Sequence, residues 1–377
     1  MFSYVYTSIY KVLTKGEKKM KKIMFFGYTL EVGGAEKVLV DYINELQDKY
    51  EITLVLLQKK GEFLESVPKN IKIIQLRNNN LQYVLFRYIP FIRKRKINRI
   101  VEKENCDIAI GFFEGRSATW VADIKKKVRK LAWIHNDVNK FDIGISEKEI
   151  IDTYNKMDKI ITVSEVAKES LCKKYNFNKE KIEVLYNLID EQSIIEKSRE
   201  VVPRNDVFTF VNVGKMRPQK RQDRLIEIAR DLKNENYKFK IQIIGNGPEE
   251  EKIKNLVKEY KVEDVVELLG LKLNPYPYIK QADCIVVSSD FEGYSVAIKE
   301  ALLLKKAVVS TNVSGVSEMF DNEKYGISTE ISTQDLEKTM KKVLDGTIDI
   351  KKIENNLEKF DCGNSQIIQK LIKLIEG

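Results

Sequence analysis

Short, almost continuous apolar runs alternate along this chain with longer stretches in which apolar residues recur every three or four positions. The first run is KKIMFFG, residues 21–27. Residues 35–46 follow, with Val38, Leu39, Tyr42 and Leu46 on one helical stripe. EITLVLL, IKIIQL, DIAIG, KLAWIH, KIITVS and KIEVLY then read as strands, ending near Tyr186. A polar, proline-containing stretch, residues 190–206, interrupts the alternation and marks a domain boundary. The alternation resumes with VFTFVNVG and continues through FKIQIIG, VVELLG, DCIVVSS and KAVVST. Strands that are apolar throughout are buried on both faces, so the pattern predicts an α/β protein with two parallel sheets, each covered by helices. Ligands of such sheets lie beyond the carboxyl ends of the strands, and two facing domains place a ligand between them.

The segments that follow the strands carry the candidate chemistry. After the first strand, Gly33 and Gly34 precede a helix whose free N–H groups suit an anion. The spacing is not GxGxxG, and Gln58 and Lys59 follow the second strand where a dinucleotide fold carries an acidic ribose ligand. A flexible turn explains the glycines equally well. After VFTFVNVG, the cations Arg217, Lys220 and Arg221 precede a helix that begins near Asp223. They suit a diphosphate, or form a solvated basic loop. Gly245, Gly247 and Pro248 turn the chain into a helix with an acidic first turn, and Gly245 is a candidate nucleotide contact. In FEGYSVAIKE the amides of Gly293, Tyr294 and Ser295 offer a phosphate seat at a helix start, with Glu292 beside it. Glu300 stands among Val296, Ala297, Leu303 and Leu304. A carboxylate there needs hydrogen-bond donors, supplied either by a ribose diol or by protein groups. Lys299 is expected to carry its charge out to water along its stem.

Composition narrows the partners. The chain has 377 residues and a net charge of +9, which suits an anionic partner or simply reflects a lysine-rich composition. Cys106, Cys172, Cys284 and Cys362 are scattered, as in a reducing compartment. The single histidine, His135, excludes a multi-histidine metal site; it follows a strand and is either structural or functional. No run approaches the roughly 18 apolar residues of a membrane-spanning helix. Residues 1–20 lack the features of a signal peptide; Met20 is an alternative start, or the segment is a short amphipathic surface helix. Residues 81–101 interleave Tyr83, Phe86, Tyr88 and Phe91 with Arg87, Arg93, Lys94, Arg95, Lys96 and Arg99, a mixture that suits an anionic membrane surface. Pro90 is expected to break this stretch. A solvated helix face remains the alternative, and no RNA-binding signature accompanies it.

The segments GGAEKVLVDYINEL, ITVSEVAKESL, VLYNLID, FVNVGKMRPQKRQDRLIEIA, IIGNGPEEEKIKNLV and ADCIVVSSDFEGYSVAIKEALLLKKAVVSTNVSGVSEMF, in this order, resemble a family 4 retaining glycosyltransferase. The resemblance implies two Rossmann-like domains facing across a cleft, the GT-B architecture. It divides the chain into an extension (1–20), an acceptor domain (21–190), a linker (191–206), a donor domain (207–360) and a closing segment (361–377) whose helix crosses back. It implies that Glu300 binds the donor ribose, that Glu292 lies near the donor sugar, and that the amides of residues 293–295 hold the distal phosphate. Arg217 and Lys220 then neutralise the diphosphate, Gly34 lies near donor and acceptor, and His135 lies near the transferred sugar. Ser295, Lys305, Lys306, Ala307, Ser314 and Arg221 depart from the family's usual residues, all in loops or caps.

The expected activity is therefore metal-independent transfer of a sugar, with retention, from a nucleotide-diphosphate sugar. UDP is the default nucleotide, with GDP and ADP as alternatives. The acceptor is a saccharide or lipid-linked saccharide of a surface polysaccharide or glycoconjugate. No cofactor, metal or nucleic acid is expected, and the protein is expected in the cytoplasm, peripheral on the inner face of the membrane. The competing readings are a non-catalytic scaffold of the same fold and a Rossmann-fold oxidoreductase.

Overall fold

A computed structural model of the chain describes residues 20–77 and 89–377. The first apolar runs become a seven-stranded parallel sheet: β1 Lys22–Gly27, β2 Glu51–Leu56, β3 Lys72–Gln75, β4 Ile108–Gly111, β5 Arg129–Ile134, β6 Lys159–Thr162 and β7 Ile182–Val184. The later runs form a six-stranded parallel sheet: β8 Phe208–Val213, β9 Phe239–Ile244, β10 Val266–Gly270, β11 Cys284–Val287, β12 Val308–Thr311 and β13 Ile327–Thr329. Both faces of each sheet are covered. In β1, Ile23 and Phe25 join one apolar core while Met24 and Phe26 join another. All four residues of β11 are buried. These are the two Rossmann-like domains that the resemblance implies. Strand β13 has no apolar run to announce it and is absent from the sequence expectation.

The strand orders are β3-β2-β1-β4-β5-β6-β7 and β10-β9-β8-β11-β12-β13. Each order turns outward from its first strand, between β1 and β4 and between β8 and β11. Phe26 pairs with Gly111, and Ile285 with Val211, across these two junctions. A connection leaving one strand to each side opens a crevice at their carboxyl ends. The two crevices face each other.

The chain passes between the domains twice. The outward passage follows β7 and includes the helix Glu191–Lys197 within the stretch read as a polar linker; Asp190 caps it by accepting the Ser193 amide at 2.9 Å. The return ends in the helix Asn364–Glu376, which lies against the first domain. Arg129 Nε donates to the Leu374 carbonyl at 2.7 Å, and Tyr50 donates to Glu376 at 3.0 Å. The passages are tied together where Asn364 donates to the Ile189 carbonyl at 2.7 Å.

The aromatic and basic stretch 81–101 falls partly outside the described residues, as does most of the extension 1–20. Pro90 interrupts the stretch as expected, with Ile89 extended before it. It opens the helix Pro90–Glu104 at the first turn, where a missing N–H costs nothing. The exposed cationic face is narrower than the sequence implies. Arg93 is buried against Asp123 at 3.0 Å, and Lys96 turns in to the Leu76 carbonyl. Lys94, Arg95 and Arg99 stay exposed, with Ile89, Phe91 and Ile92 at the same end. Among the described residues, no helix is long and apolar enough to cross a membrane.

The closing helix gives a stability test. Leu371 is fully buried. Leu371→Ala leaves a cavity and costs about 2–5 kcal/mol, read as a lower urea midpoint. An unchanged midpoint contradicts the docking of this helix.

Candidate active site

A cavity of about 500 Å³ lies between the two crevices. Its first-domain wall comes from the segments after β1, β2, β4, β5 and β7, and its second-domain wall from those after β8, β9, β10 and β11. His135, Glu292, Arg217, Lys220, Gly34, Gly245, Gly293, Tyr294, Ser295 and Glu300 all border it. A shallower depression of about 360 Å³, lined by Arg199, Arg204, Lys280 and Asp283 among others, contains none of them.

The loops after β8 and β11 are stitched together. Ser288 Oγ donates to the Lys220 carbonyl at 2.8 Å, and the Asp290 amide donates to the Gln219 carbonyl at 2.8 Å. Glu292 Oε1 receives Lys220 Nζ at 2.5 Å and Ser289 Oγ at 2.7 Å. Arg217 is exposed, makes no ion pair among the described residues, and borders the cavity. Arg221 does not join it. Arg221 has φ 49°, in the left-handed region where glycine is favoured, and its guanidinium binds Asp223 at 3.1 Å and Asp290 at 3.3 Å. The backbone conformation that favours glycine is thus kept with a side chain, whose charge serves the loop.

The helix after β11 is Val296–Leu303, with Ser295 at its cap. No side chain caps it, its first turn holds no acid, and the amides of Gly293, Tyr294 and Ser295 have no acceptor among the described residues. These unspent N–H groups border the cavity and favour an anion. A Cβ on Gly293 would lie 1.5 Å from the His135 carbonyl oxygen, so only glycine lets the domains meet here. Tyr294 stacks on Tyr186 with ring centroids 5.0 Å apart, and its carbonyl accepts Asn187 Nδ2 at 2.8 Å.

The start of the helix Gly34–Leu46 is different. Glu36 folds back so far that a Cβ on Gly33 would lie 2.2 Å from its Oε2. The carboxylate bonds its own amide, and burial raises its pKa. This helix start is already occupied by its own carboxyl group, which corrects its reading as an open anion seat. Gly34 instead sits at the gap between domains, where a Cβ would lie 3.5 Å from Val296 Cγ2. Gly245 has φ +143°, and a Cβ there would lie 2.0 Å from the Gly214 carbonyl. Its amide is committed to the Gly270 carbonyl at 2.9 Å, so it shapes the cavity by close backbone approach.

Glu300 is 5% exposed. Its Oε1 accepts the Tyr276 hydroxyl at 3.1 Å and pairs with Lys37 of the first domain at 3.5 Å. Oε2 has no protein partner among the described residues. Burial raises the pKa, opposed by the charge of Lys37 and the bond from Tyr276. The protein therefore engages one oxygen and leaves the other open. Lys299 behaves contrary to expectation. It is 1% exposed and donates to the Asn187 carbonyl at 2.6 Å, because the segment after β7 covers its face of the helix. Burial lowers its pKa to about 8.

On the opposite wall, His135 Nε2 lies 2.7 Å from the Phe112 carbonyl. A carbonyl only accepts, so Nε2 carries the proton and Nδ1 is an acceptor; Nδ1 is buried without a partner. Burial lowers the histidine's pKa and favours this neutral form. Glu114 Oε1 accepts the His135 amide at 2.5 Å and Asn136 Nδ2 at 3.0 Å. Glu114, Lys37, Asn187 and Tyr276 were not singled out from the sequence. Position after β4 is the one signal for Glu114. Asn187, just beyond β7, carries the same signal, whereas Lys37 and Tyr276 belong to helices, where strand ends give no cue.

Comparison with known proteins agrees with this geometry. The model of "Glycosyltransferase Family 4" matches residues 32–193, and that of "Glycosyl transferases group 1" matches residues 193–360. The chain belongs to glycosyltransferase family 4. The transferase is 28% identical over 330 residues to the N-acetylgalactosamine-N,N'-diacetylbacillosaminyl-diphospho-undecaprenol 4-alpha-N-acetylgalactosaminyltransferase of Campylobacter jejuni, covering 84% of this chain and 87% of that one. It is 25% identical over 264 residues to the poly(ribitol-phosphate) alpha-N-acetylglucosaminyltransferase of Staphylococcus aureus, covering 67% and 52%. Its fold matches the Anabaena protein HepE in complex with UDP-glucose, with a TM-score of 0.77 at 18% identity, covering 93% of this chain and 99% of that one. The fold is GT-B.

The buried Lys299 gives this glycosyltransferase a pH signature. Its folded pKa of about 8 lies below its ordinary 10.5. Between these values the unfolded chain holds a proton that the folded chain lacks, so this group's contribution to stability rises with pH. Below about pH 8 both states are charged and the burial penalty is complete. Lys299→Met removes the rise, seen as a flatter difference curve in urea midpoints from pH 7 to 10.5. Parallel curves for wild type and variant contradict the burial.

Proposed function

We propose that this glycosyltransferase moves a sugar, with retention and without a metal, from a UDP-linked donor to a hydroxyl of a saccharide or lipid-linked saccharide. The observation that carries the proposal is the convergence on one cavity of Arg217, Lys220, the three open amides 293–295 and the unpartnered Oε2 of Glu300. In this reading Oε2 receives the ribose hydroxyls, and the amides and cations receive the diphosphate. When the sugar–phosphate bond breaks, negative charge grows on the leaving diphosphate. Cations and N–H groups already aimed at that charge need no reorganisation, and a single such donor is typically worth about 3 kcal/mol of barrier. Arg217 and Lys220 supply the charge a metal would otherwise bring. His135 Nδ1 accepts from a hydroxyl of the transferred sugar. The departing phosphate takes the acceptor's proton on the same face, so no protein nucleophile is required.

Uridine as the base is supported by the solved structures of HepE with UDP and UDP-glucose and of Staphylococcus aureus TarM with UDP. A lipid-linked or polymeric acceptor is supported by the similarity to the Campylobacter diphospho-undecaprenol and Staphylococcus poly(ribitol-phosphate) transferases. In this reading the reaction takes place at the cytoplasmic side of a membrane. Phe91, Ile89 and Ile92 beside Arg95 and Arg99 form the surface we assign to it.

Transfer is followed by NMR with UDP-sugars and GDP-sugars. The expected product keeps the donor's anomeric configuration, EDTA leaves the rate unchanged, and Glu300→Gln weakens UDP binding about tenfold or more. Inversion, loss with EDTA, or undisturbed UDP binding contradicts the corresponding part. Separately, Phe91→Asp with Arg95→Glu abolishes sedimentation with phosphatidylglycerol vesicles while sparing transfer to a water-soluble acceptor. Sedimentation equal to wild type removes the helix Pro90–Glu104 from the membrane.

A further inference from the structure

Lys37 belongs to the helix Gly34–Leu46 of the first domain, yet its ammonium lies against the Glu300 carboxylate of the second. It is held between Asp41 Oδ2 at 2.8 Å and Glu300 Oε1 at 3.5 Å. All three side chains are largely removed from water. Two carboxylates thus share one lysine, and Tyr276 adds a neutral hydrogen bond to the same oxygen of Glu300. The close approach at Gly34 and Val296 brings this helix to the donor wall.

We infer that Lys37 is a positioning residue of the donor site, lent by the acceptor domain. It fixes Oε1 of Glu300 so that Oε2 is presented to the donor's ribose, and it does so only while the domains are together. This rests on the proposed role of Glu300 as the ribose ligand. The argument is one of charge compensation. A nearly buried carboxylate held by a tyrosine alone is poorly compensated. An ammonium on one oxygen and ribose hydroxyls on the other compensate it from both sides and select one side-chain conformation. Ribose occupancy and the Lys37 ion pair therefore favour the same state, and the coupling is reciprocal. Lys37 needs no contact with the donor to do this. The bland alternative is that Lys37 only neutralises Asp41 one turn along its own helix.

The test separates the two. In an Asp41→Asn background no buried aspartate is left unpaired when Lys37→Met is added. Both proteins, full length, are titrated with UDP and with 2′,3′-dideoxyuridine diphosphate, which lacks the ribose hydroxyls. Adding Lys37→Met is expected to weaken UDP about tenfold and the dideoxy nucleotide less than about twofold, since the loss acts through a charge-assisted bond at Glu300. Lys37→Arg in the same background restores UDP binding to within about threefold of the Asp41→Asn protein. Equal losses for both nucleotides, or no loss for UDP, overturn the inference while leaving the donor site intact. If wild-type protein does not bind UDP, the donor-site proposal fails first and takes this inference with it.

Discussion

Backbone meets backbone between Gly293 and the carbonyl of His135, and the rest of the site depends on that approach. Any side chain at this point would hold the two crevices apart. With none, the open helix start of the second domain comes against the end of β5 in the first. The open amides of residues 293–295 and the acceptor nitrogen of His135 then share one cavity. The neighbouring contacts repeat the logic with side chains: Tyr294 on Tyr186, and Asn187 between the Tyr294 carbonyl and the Lys299 ammonium. Each joins an element of one domain to the interdomain passage or to the other domain.

The charges in this interface are arranged by how many partners each has. Glu292 is satisfied by Lys220 and Ser289 and stiffens the loop that bears the cations. Glu300 is satisfied at one oxygen only. Lys299, its sequence neighbour, is more deeply buried and bonds a carbonyl, and the charges of Glu191 and Asp361 offset only part of its desolvation penalty. Adjacent residues on one helix thus serve opposite purposes, because successive side chains point about 100° apart around its axis. One meets the interdomain passage and the other meets the cavity.

Much of the architecture was legible because parallel strands buried on both faces must be apolar throughout. Twelve such runs stand out in the sequence and correspond to β1–β12; β13, with the short polar sequence IST, does not. Many of the residues gathered at the cavity were legible because they follow a strand, where crevices open; Glu114 and Asn187 follow strands too and were missed. Side-chain direction was not legible. Lys299 looked free to reach water, Arg221 looked like one more phosphate ligand, and Arg93 looked like surface charge; in each case a distant segment supplies the partner. The lysine that completes Glu300 lies more than 260 positions away, inside an ordinary amphipathic helix. Nothing local distinguishes it from its neighbours.

The bond from Asn364 to Ile189 has a mechanical meaning. Where two covalent strands join a pair of bodies side by side, the line through them acts as a door hinge. Sliding apart would stretch both strands at once, whereas swinging costs only a few backbone torsions. Relative motion of the two lobes is thereby reduced to roughly one rotation. The lever arm is short for Asn187 and Tyr294, beside the pivot, and longest at the cavity's outer rim. A small swing leaves the open helix start almost in place and opens the mouth widely. One angular coordinate then describes how far the molecule gapes.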